Sequence, residues 1–180
     1  MVFDEGGHPP VVAPPGTRIG DDGGMPEYVL PRIPASAGAL LRDGDDGILV
    51  LKPTYKGGWT VPGGQVEEGG ETPWEACRRE VAEETGLIVD SGRLVCVDFL
   101  RARPDHPGGV RFLFDCGEVA PVERDHIVLQ EGEIGDHRWA EVDEALRLLS
   151  GPVSRRVGRA LGATGTIYLE DGRPVVGVGD

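Results

Sequence analysis

Three glutamates recur at helical spacing in the middle of the chain. Glu80, Glu83 and Glu84 stand in the run WEACRREVAEET, and residues three or four apart share one face of a helix. Like charges at this spacing destabilise a helix by about 0.2–0.5 kcal/mol per pair, and the last helical turn disfavours anions. Binding of a hard cation removes this cost, and carboxylate oxygens suit Mg²⁺ or Mn²⁺. The alternative is a solvated acidic face paired with Arg78 and Arg79.

The helix that must position these carboxylates has well-marked ends. Thr72 is a good N-cap, Pro73 fits the first helical position, and Glu75 completes a capping box with Thr72. Gly86 is a natural residue at the C-terminal end. The apolar stripe that should face the core consists of Trp74, Cys77 and Val81. The pattern therefore predicts a helix over PWEACRREVAEET.

The residues before the helix also favour a ligand site. Gly63 and Gly64 follow Pro62, and glycine lets the backbone approach a ligand closely. Glu71 stands just before the helix, where its carboxylate can pair with Arg79 and hold the loop to the helix.

The whole stretch GGQVEEGGETPWEACRREVAEETGL resembles the Nudix box, the signature G-x5-E-x7-R-E-U-x-E-E-x-G-U of the Nudix hydrolases. From Glu71 to Leu87 the match is complete. Six residues separate Gly64 from Glu71 where the family has five, so EEGGE carries one extra residue. The resemblance covers about 25 residues, and the order of the surrounding strands is also similar to the family fold.

The resemblance implies a hydrolase that cleaves the diphosphate linkage of a nucleoside diphosphate joined to a group X, by attack of water on phosphorus. It implies Mg²⁺ as the cofactor, with Mn²⁺ as a second choice. The implied metal ligands are Gly64, Glu80, Glu83 and Glu84. The implied catalytic residues are Glu71, Arg79, Glu83, Glu84 and Glu133. Arg79 would orient the cluster through Glu71, and Glu133 is preferred to Glu131 as the general base.

The substrate contacts are inferred from residue type alone. Candidates for phosphate binding are Lys52, Lys56, Arg101 and Arg103, and Tyr55 or Phe99 can stack on a base. A nucleotide sugar or ADP-ribose is the favoured substrate type. One alternative is a nucleotide-pool sanitiser that converts oxidised nucleoside triphosphates to monophosphate and pyrophosphate. Another is a non-catalytic Nudix-fold module that binds nucleotides.

The order of elements predicts an α+β fold, a Nudix-like mixed β-sheet between α-helices. IPASAGALLR and ILVLKPT read as a hairpin, GWTVPGG as a short strand broken by Pro62, and GRLVCVDFLRA and GVRFLFDCGEV as paired strands. EIGDHRWAEV predicts another strand, while VDEALRLL and SRRVGRAL predict short helices. Residues 1–31 read as a flexible arm rich in Pro and Gly, 32–163 as the Nudix domain, and 164–180 as a C-terminal β-hairpin extension.

Composition narrows the possible partners. Lys and Arg number 18 against 31 Asp and Glu, and the net charge of −13 argues against binding to nucleic acid or to an anionic membrane. The three cysteines lack the spacing of a zinc site. The start MVFDEGG has no signal-peptide pattern, so we expect a cytoplasmic protein. Relatives in the resembled family often dimerise, which makes a homodimer a further expectation.

Overall fold

The first two strands form a hairpin. The computed structural model describes residues 32–178, in which β1 (Ala35–Arg42) pairs antiparallel with β2 (Gly47–Pro53). Oδ1 of Asp43 accepts a hydrogen bond from the backbone N–H of Gly47 at 2.8 Å. An aspartate that bonds the backbone of its own turn favours a tight connection. The hairpin predicted from the sequence is confirmed.

The short third strand begins later than the sequence suggests. β3 (Gly63–Gln65) pairs antiparallel with β1, and Thr60 forms an isolated bridge with Leu51 before Pro62, so the predicted break at Pro62 is present while the regular strand covers only the residues after it. Pro62 has no N–H to give to a ladder, although its carbonyl accepts from the N–H of Ala39 at 2.9 Å. The regular pairing therefore starts only after Pro62.

The predicted helix is present with the predicted caps. α1 (Pro73–Thr85) has Thr72 as its N-cap, and Thr72 and Glu75 form the reciprocal capping box. Gly86 closes the C-terminal end with φ of 73°, in the left-handed region that glycine adopts without strain.

The remaining elements are β4 (Arg93–Leu100), β5 (Gly109–Glu118), α2 (Pro121–Arg124), β6 (Ile134–Glu141), α3 (Val142–Leu148), α4 (Gly151–Leu161), β7 (Ile167–Glu170) and β8 (Arg173–Pro174). The described strands form one sheet in the order β6-β2-β1-β5-β4-β7-β8, with β3 beside β1. β1 runs parallel to β5 and β4 runs parallel to β7, whereas the other pairs are antiparallel. The sheet is therefore mixed, as predicted.

Both faces of the sheet are covered by helices. Leu49 and Leu51 of β2 belong to a core cluster that includes Val81 of α1. Their neighbours Ile48 and Val50 belong to the opposite cluster, which contains residues of α3 and α4. Side chains alternate between the faces of a strand, and a sheet buried on both faces carries apolar residues at every position. The α+β fold with a sheet between helices is confirmed.

The C-terminal hairpin is part of this sheet. β7 and β8 pair across the turn at Asp171 and Gly172, and β7 lies alongside β4. The division into a domain at 32–163 and an extension at 164–180 stays a prediction. The predicted arm, residues 1–31, lies outside the described residues. No helix within residues 32–178 is long and apolar enough to cross a membrane.

Candidate active site

One cavity of about 640 Å³ contains most of the predicted site residues. Its acidic lining residues are Glu80, Glu84, Asp105, Glu133 and Asp171. Its basic lining residues are Lys56, Arg101, Arg103, Arg111 and Arg156. A volume of this size suits a small-molecule ligand. The cavity lining carries as many of these basic residues as acidic ones, whereas the whole chain has an excess of acidic residues. Cationic groups are therefore concentrated at the cavity.

Glu84 is a buried carboxylate at this cavity. Only 5% of the residue is exposed, and Oε2 accepts a hydrogen bond from the backbone N–H of Gly63 at 2.7 Å. Burial raises the pKa of Glu84 to about 7, and the nearby carboxylates of Glu80 and Glu133 add to the rise. Loss of water disfavours the charged form of a carboxyl group. The site therefore favours a proton or a cation at Glu84.

Glu80 lies directly against the glycine turn. A Cβ atom added to Gly64 would lie 2.2 Å from Oε1 of Glu80, which is far inside van der Waals contact. Burial raises the pKa of Glu80, and the negative charges of Glu83 and Glu133 contribute, although Arg79 lowers it. Glycine at position 64 is therefore what allows this carboxylate to approach the strand.

Arg79 connects the loop to the carboxylates of the helix. Its Nε lies 2.8 Å from Oε1 of Glu71, so the predicted ion pair is present. Its Nη1 also donates to Oε1 of Glu80 at 2.9 Å and to Oε2 of Glu83 at 3.1 Å. Nη2 donates to the carbonyl of Gln65 at 3.0 Å. One guanidinium thus holds three carboxylates and the end of β3.

The extra loop residue is accommodated in a turn away from these contacts. Gly69 and Gly70 have φ of 102° and 99°, and neither would bring an added Cβ within 4 Å of another group. Oε2 of Glu71 accepts from the backbone N–H of Glu67 at 2.7 Å, which closes the loop on itself. The loop therefore gains length while Glu71 still reaches Arg79.

The donor atoms at the cavity fit a hard divalent cation in their chemistry. Glu80 and Glu84 are both buried enough for their pKa to rise, and such carboxylates gain from a neighbouring positive charge. Glu83 does not line the cavity and points its Oε2 at Arg79. Within residues 32–178 no three acidic, histidine or cysteine side chains stand together as a preformed metal cluster.

The two candidates for the general base are placed differently. Glu133 lines the cavity, whereas Glu131 does not. The charge of Glu133 raises the pKa of both Glu80 and Glu84, which places its carboxylate within electrostatic range of them. Its backbone carbonyl accepts from the N–H of Thr54 at 2.9 Å, which fastens this loop to the end of β2.

The predicted substrate residues divide into two groups. Tyr55, Lys56, Arg101 and Arg103 line the cavity, whereas Lys52 and Phe99 do not. Lys52 lies exposed on β2, and the structure does not bring it together with the others. Arg101 forms an ion pair with Glu170, and Arg103 pairs with Asp171 at 3.1 Å.

Two cavity arginines were missed by sequence reasoning. Arg111 interrupts the apolar run of β5, and Arg156 lies four residues before the buried Ala160 on the inner face of α4. A charged residue at a position that the periodicity assigns to the core is the signal that could have identified them. Charged residues are seldom buried without a partner.

Comparison with known proteins extends this description. The NUDIX domain family model matches residues 32–161. The chain is 31% identical over 144 residues to a MutT-like protein from Streptomyces ambofaciens, a match that covers 79% of this chain and 86% of that protein. The fold is similar to that of a UDP-X diphosphatase, with a TM-score of 0.60, 19% identity, and coverage of 79% of this chain and 69% of the other. It is also similar to the NUDIX domain of NrtR from Shewanella oneidensis in complex with ADP ribose, with a TM-score of 0.62, 17% identity, and coverage of 75% and 92%.

Proposed function

The chain belongs to the NUDIX family, whose members act on phosphorus-containing anhydrides, and we propose that it is a Mg²⁺-dependent pyrophosphohydrolase of nucleoside diphosphate-X compounds. Mn²⁺ is the second candidate cation. The observation that carries the proposal is the shared cavity of Glu80, Glu84 and Glu133, whose other lining includes five cationic side chains. Carboxylates and cations in one cavity suit a substrate that is itself polyanionic.

Glu80 and Glu84 are the residues that would hold the divalent cation, together with Glu83 and the carbonyl of Gly64. When bound, the cation neutralises phosphate charge and lowers the pKa of a coordinated water. Arg79 fixes the direction of Glu80 and Glu83 through hydrogen bonds at 2.9 and 3.1 Å. Side chains that support metal ligands in this way commonly change affinity or activity by about 10–100-fold when they are removed.

Glu133 is the proposed general base. It lines the cavity beside the helix carboxylates, and a base must reach the water whose proton it accepts. Removal of that proton makes the water oxygen a better nucleophile for in-line attack on phosphorus. Glu131 is the alternative base, and its position away from the cavity lining is what favours Glu133.

The remaining cavity residues would bind the substrate. Lys56 carries a charge suited to phosphate oxygens, and Tyr55 is 69% exposed with an aromatic face available for a base. The lysine Nζ lies 5.3 Å from the centroid of this ring. The structural similarity to a UDP-X diphosphatase and to an ADP-ribose complex supports a nucleotide sugar or ADP-ribose as the substrate type.

A substrate panel tests this function directly. Nucleotide sugars, ADP-ribose, dinucleotides and nucleoside triphosphates, including oxidised ones, are incubated with Mg²⁺ and separately with Mn²⁺. We expect turnover of one of the first two classes, with two monophosphates as products. The variant Glu84→Gln should lower this turnover by a factor of about 10² or more, as expected when a buried catalytic carboxylate is neutralised.

The same panel separates the alternatives. A sanitiser would release pyrophosphate from a nucleoside triphosphate, which is distinct from two monophosphates. A binding module would show tight nucleotide binding in calorimetry with no metal-dependent hydrolysis. If no substrate is turned over, or if Glu84→Gln is as active as the native protein, the proposed hydrolase is wrong.

A further inference from the structure

Arg111 is a half-buried cation of the cavity wall whose charge is not matched by an ion pair. Its Nη1 donates to the carbonyl of Val110 at 3.3 Å, and its Nη2 donates to the carbonyl of Gly108 at 3.2 Å. Among the described residues, the structure gives Arg111 no carboxylate within ion-pair distance. Arg101 and Arg103 of the same cavity are each paired with an acid of the β7–β8 hairpin. Arg111 is therefore the more available guanidinium.

The carboxylate that faces Arg111 across the β4–β5 pair is already occupied. Asp98 stands directly opposite Arg111 in the β4–β5 register, where cross-strand side chains are neighbours. Its Oδ2 accepts from Nε of Arg156 at 3.0 Å, and its Oδ1 accepts from the N–H of Gly172 at 2.9 Å. Asp98 is completely buried. Both carboxylate oxygens of Asp98 therefore already accept hydrogen bonds from groups other than Arg111.

The cluster therefore holds two guanidinium ions and one carboxylate. Arg156 is itself only 8% exposed and lines the cavity together with Arg111. Burial lowers the pKa of Arg111 and the positive charge of Arg156 lowers it further, whereas the negative charge of Asp98 raises it. An excess positive charge with little water around it is costly unless an anion compensates it. The chain as a whole has a net charge of −13, yet at this wall it leaves a positive charge without its own anion.

We propose that Arg111, beside Arg156, binds a second anionic group of the substrate, a phosphate or a carboxylate that is separate from the diphosphate being cleaved. The substrate class is then a nucleoside diphosphate-X compound in which X or the nucleoside carries that additional anion. This inference rests on the proposed hydrolase function. Arginine is suited to the role because its planar fork of donors matches both phosphate and carboxylate.

One molecule can make both sets of contacts. Arg111 and Arg156 line the same cavity as Glu80 and Glu84, and the volume of about 640 Å³ is in the range of sites for drug-sized ligands. Phosphate charge at the carboxylate end would be matched by a cation held by Glu80 and Glu84, while the anion at the arginine end would be matched by Arg111 and Arg156. The distance between the two anions of the substrate then becomes a source of specificity.

Matched substrate pairs test the proposal. UDP-glucuronate and UDP-glucose differ by a carboxylate, whereas ADP-ribose 2′-phosphate and ADP-ribose differ by a phosphate. For the native protein we expect a higher kcat/KM for the charged member of at least one pair. Arg111→Gln should lower the charged-to-neutral ratio by about tenfold or more, as for loss of one partner of a buried charge contact.

Two further variants control this result. Arg159→Gln removes one positive charge from an exposed position of α4 that does not line the cavity, and it should leave the ratio unchanged. Arg111→Lys keeps the charge but lacks the planar fork of donors, and it should give an intermediate ratio. Because lysine is the more conservative replacement, this variant still tests the proposal if Arg111→Gln fails to fold. The proposal is overturned if the native protein prefers the charged member of neither pair, or if both Arg111 variants keep the native ratio.

A binding measurement distinguishes failure of this site from failure of the hydrolase function. Inorganic phosphate is titrated into the protein in EDTA by calorimetry, so that turnover plays no part. We expect Arg111→Gln to weaken binding by about tenfold and Arg159→Gln to bind as the native protein does. Weakened binding without hydrolysis of any substrate would refute the hydrolase and keep the anion site. Hydrolysis with phosphate binding unaffected by Arg111→Gln would refute the anion site and keep the hydrolase.

Discussion

Arg79 holds Glu71 through two hydrogen bonds, 2.8 Å from Nε to Oε1 and 3.2 Å from Nη2 to Oε2. Paired bonds between a guanidinium and a carboxylate are among the stronger and more directional polar contacts in proteins. The Arg79 contacts lower the pKa of Glu71, which keeps the carboxylate charged and the brace intact. Glu71 ends the loop with the extra residue, and Nη2 of Arg79 also donates to the carbonyl of Gln65 at its start, so one guanidinium holds both ends of the loop.

Replacement of Arg79 by lysine should reduce activity without unfolding the protein. Lysine keeps the charge but not the fork, so Glu80, Glu83 and the Gln65 carbonyl lose a common donor. We expect kcat/KM to fall by about 10–100-fold and Mn²⁺ affinity, measured by electron paramagnetic resonance, to fall with it. The control is Arg78→Lys, because Arg78 bonds the carbonyl of Val89 instead. Equal activity of the two variants would contradict the assigned role of Arg79.

Gly64 of β3 and Gly69 of the loop that follows should respond differently to replacement by alanine. At Gly64 the new methyl group would overlap Glu80, whereas at Gly69 it would meet nothing within 4 Å. Gly64→Ala should therefore lower kcat/KM by about tenfold or more, as for a misplaced active-site group. Gly69→Ala should stay within about threefold, although its φ of 102° should cost about 1 kcal/mol of stability. Steady-state kinetics and urea unfolding of both variants check this.

The metal-free protein should lose stability as the pH rises from about 4.5 to 7. Glu84 keeps its proton up to about pH 7 when folded, from an ordinary value of 4.5, so the folded state binds more protons in this window. The stabilisation is complete below about pH 4.5 and is lost as the pH rises through 7. A shift of this size corresponds to roughly 3 kcal/mol.

Urea unfolding in EDTA at pH 5 and pH 8 measures this effect. Glu84→Gln lacks the titrating group, so its free energy of unfolding should change less between the two pH values than that of the native protein. Mg²⁺ should stabilise the native protein more at pH 8, where the carboxylate is charged in both states. The same pH dependence in both proteins would assign the effect to other groups.

The two loop glutamates should differ in catalysis. Glu133→Gln should lower kcat by about 10²–10⁴, the usual contribution of a general base, with KM within a few-fold. Glu131→Gln should have little effect, since Glu131 does not line the cavity. The opposite ranking of the variants would reassign the base.

Local sequence patterns predicted those features of the fold that depend on interactions between residues close together in the chain. The capping residues Thr72 and Glu75, the left-handed Gly86 and the eight-residue separation of Glu71 and Arg79 all follow from helix geometry, and the structure contains each of them. The alternation of apolar residues likewise predicted the strands of the main sheet. These features depend on neighbours that are close in the chain.

The surroundings of the cavity arginines depend on contacts between residues that lie far apart in the chain. Arg156 and its partner Asp98 are 58 residues apart in the sequence, and Arg101 and its partner Glu170 are 69 residues apart. Residue type marked Arg101 and Arg103 as phosphate ligands, yet the β7–β8 hairpin supplies each with an acidic partner. Lys52 lies outside the cavity because strand register, and not residue type, determines which way β2 presents it. Only the sheet order reveals Arg111 beside Asp98.

The buried carboxylate of Asp98 also has a consequence for biosynthesis. Its two partners, Arg156 and the N–H of Gly172, are made long after β4 has left the ribosome. Until they emerge, the nascent chain would have to bury an unpaired charge, which costs several kcal/mol. We therefore expect the sheet to remain open at β4 during translation and to close only after the β7–β8 turn has been synthesised, so nascent chains arrested before Gly172 should be readily cut by protease.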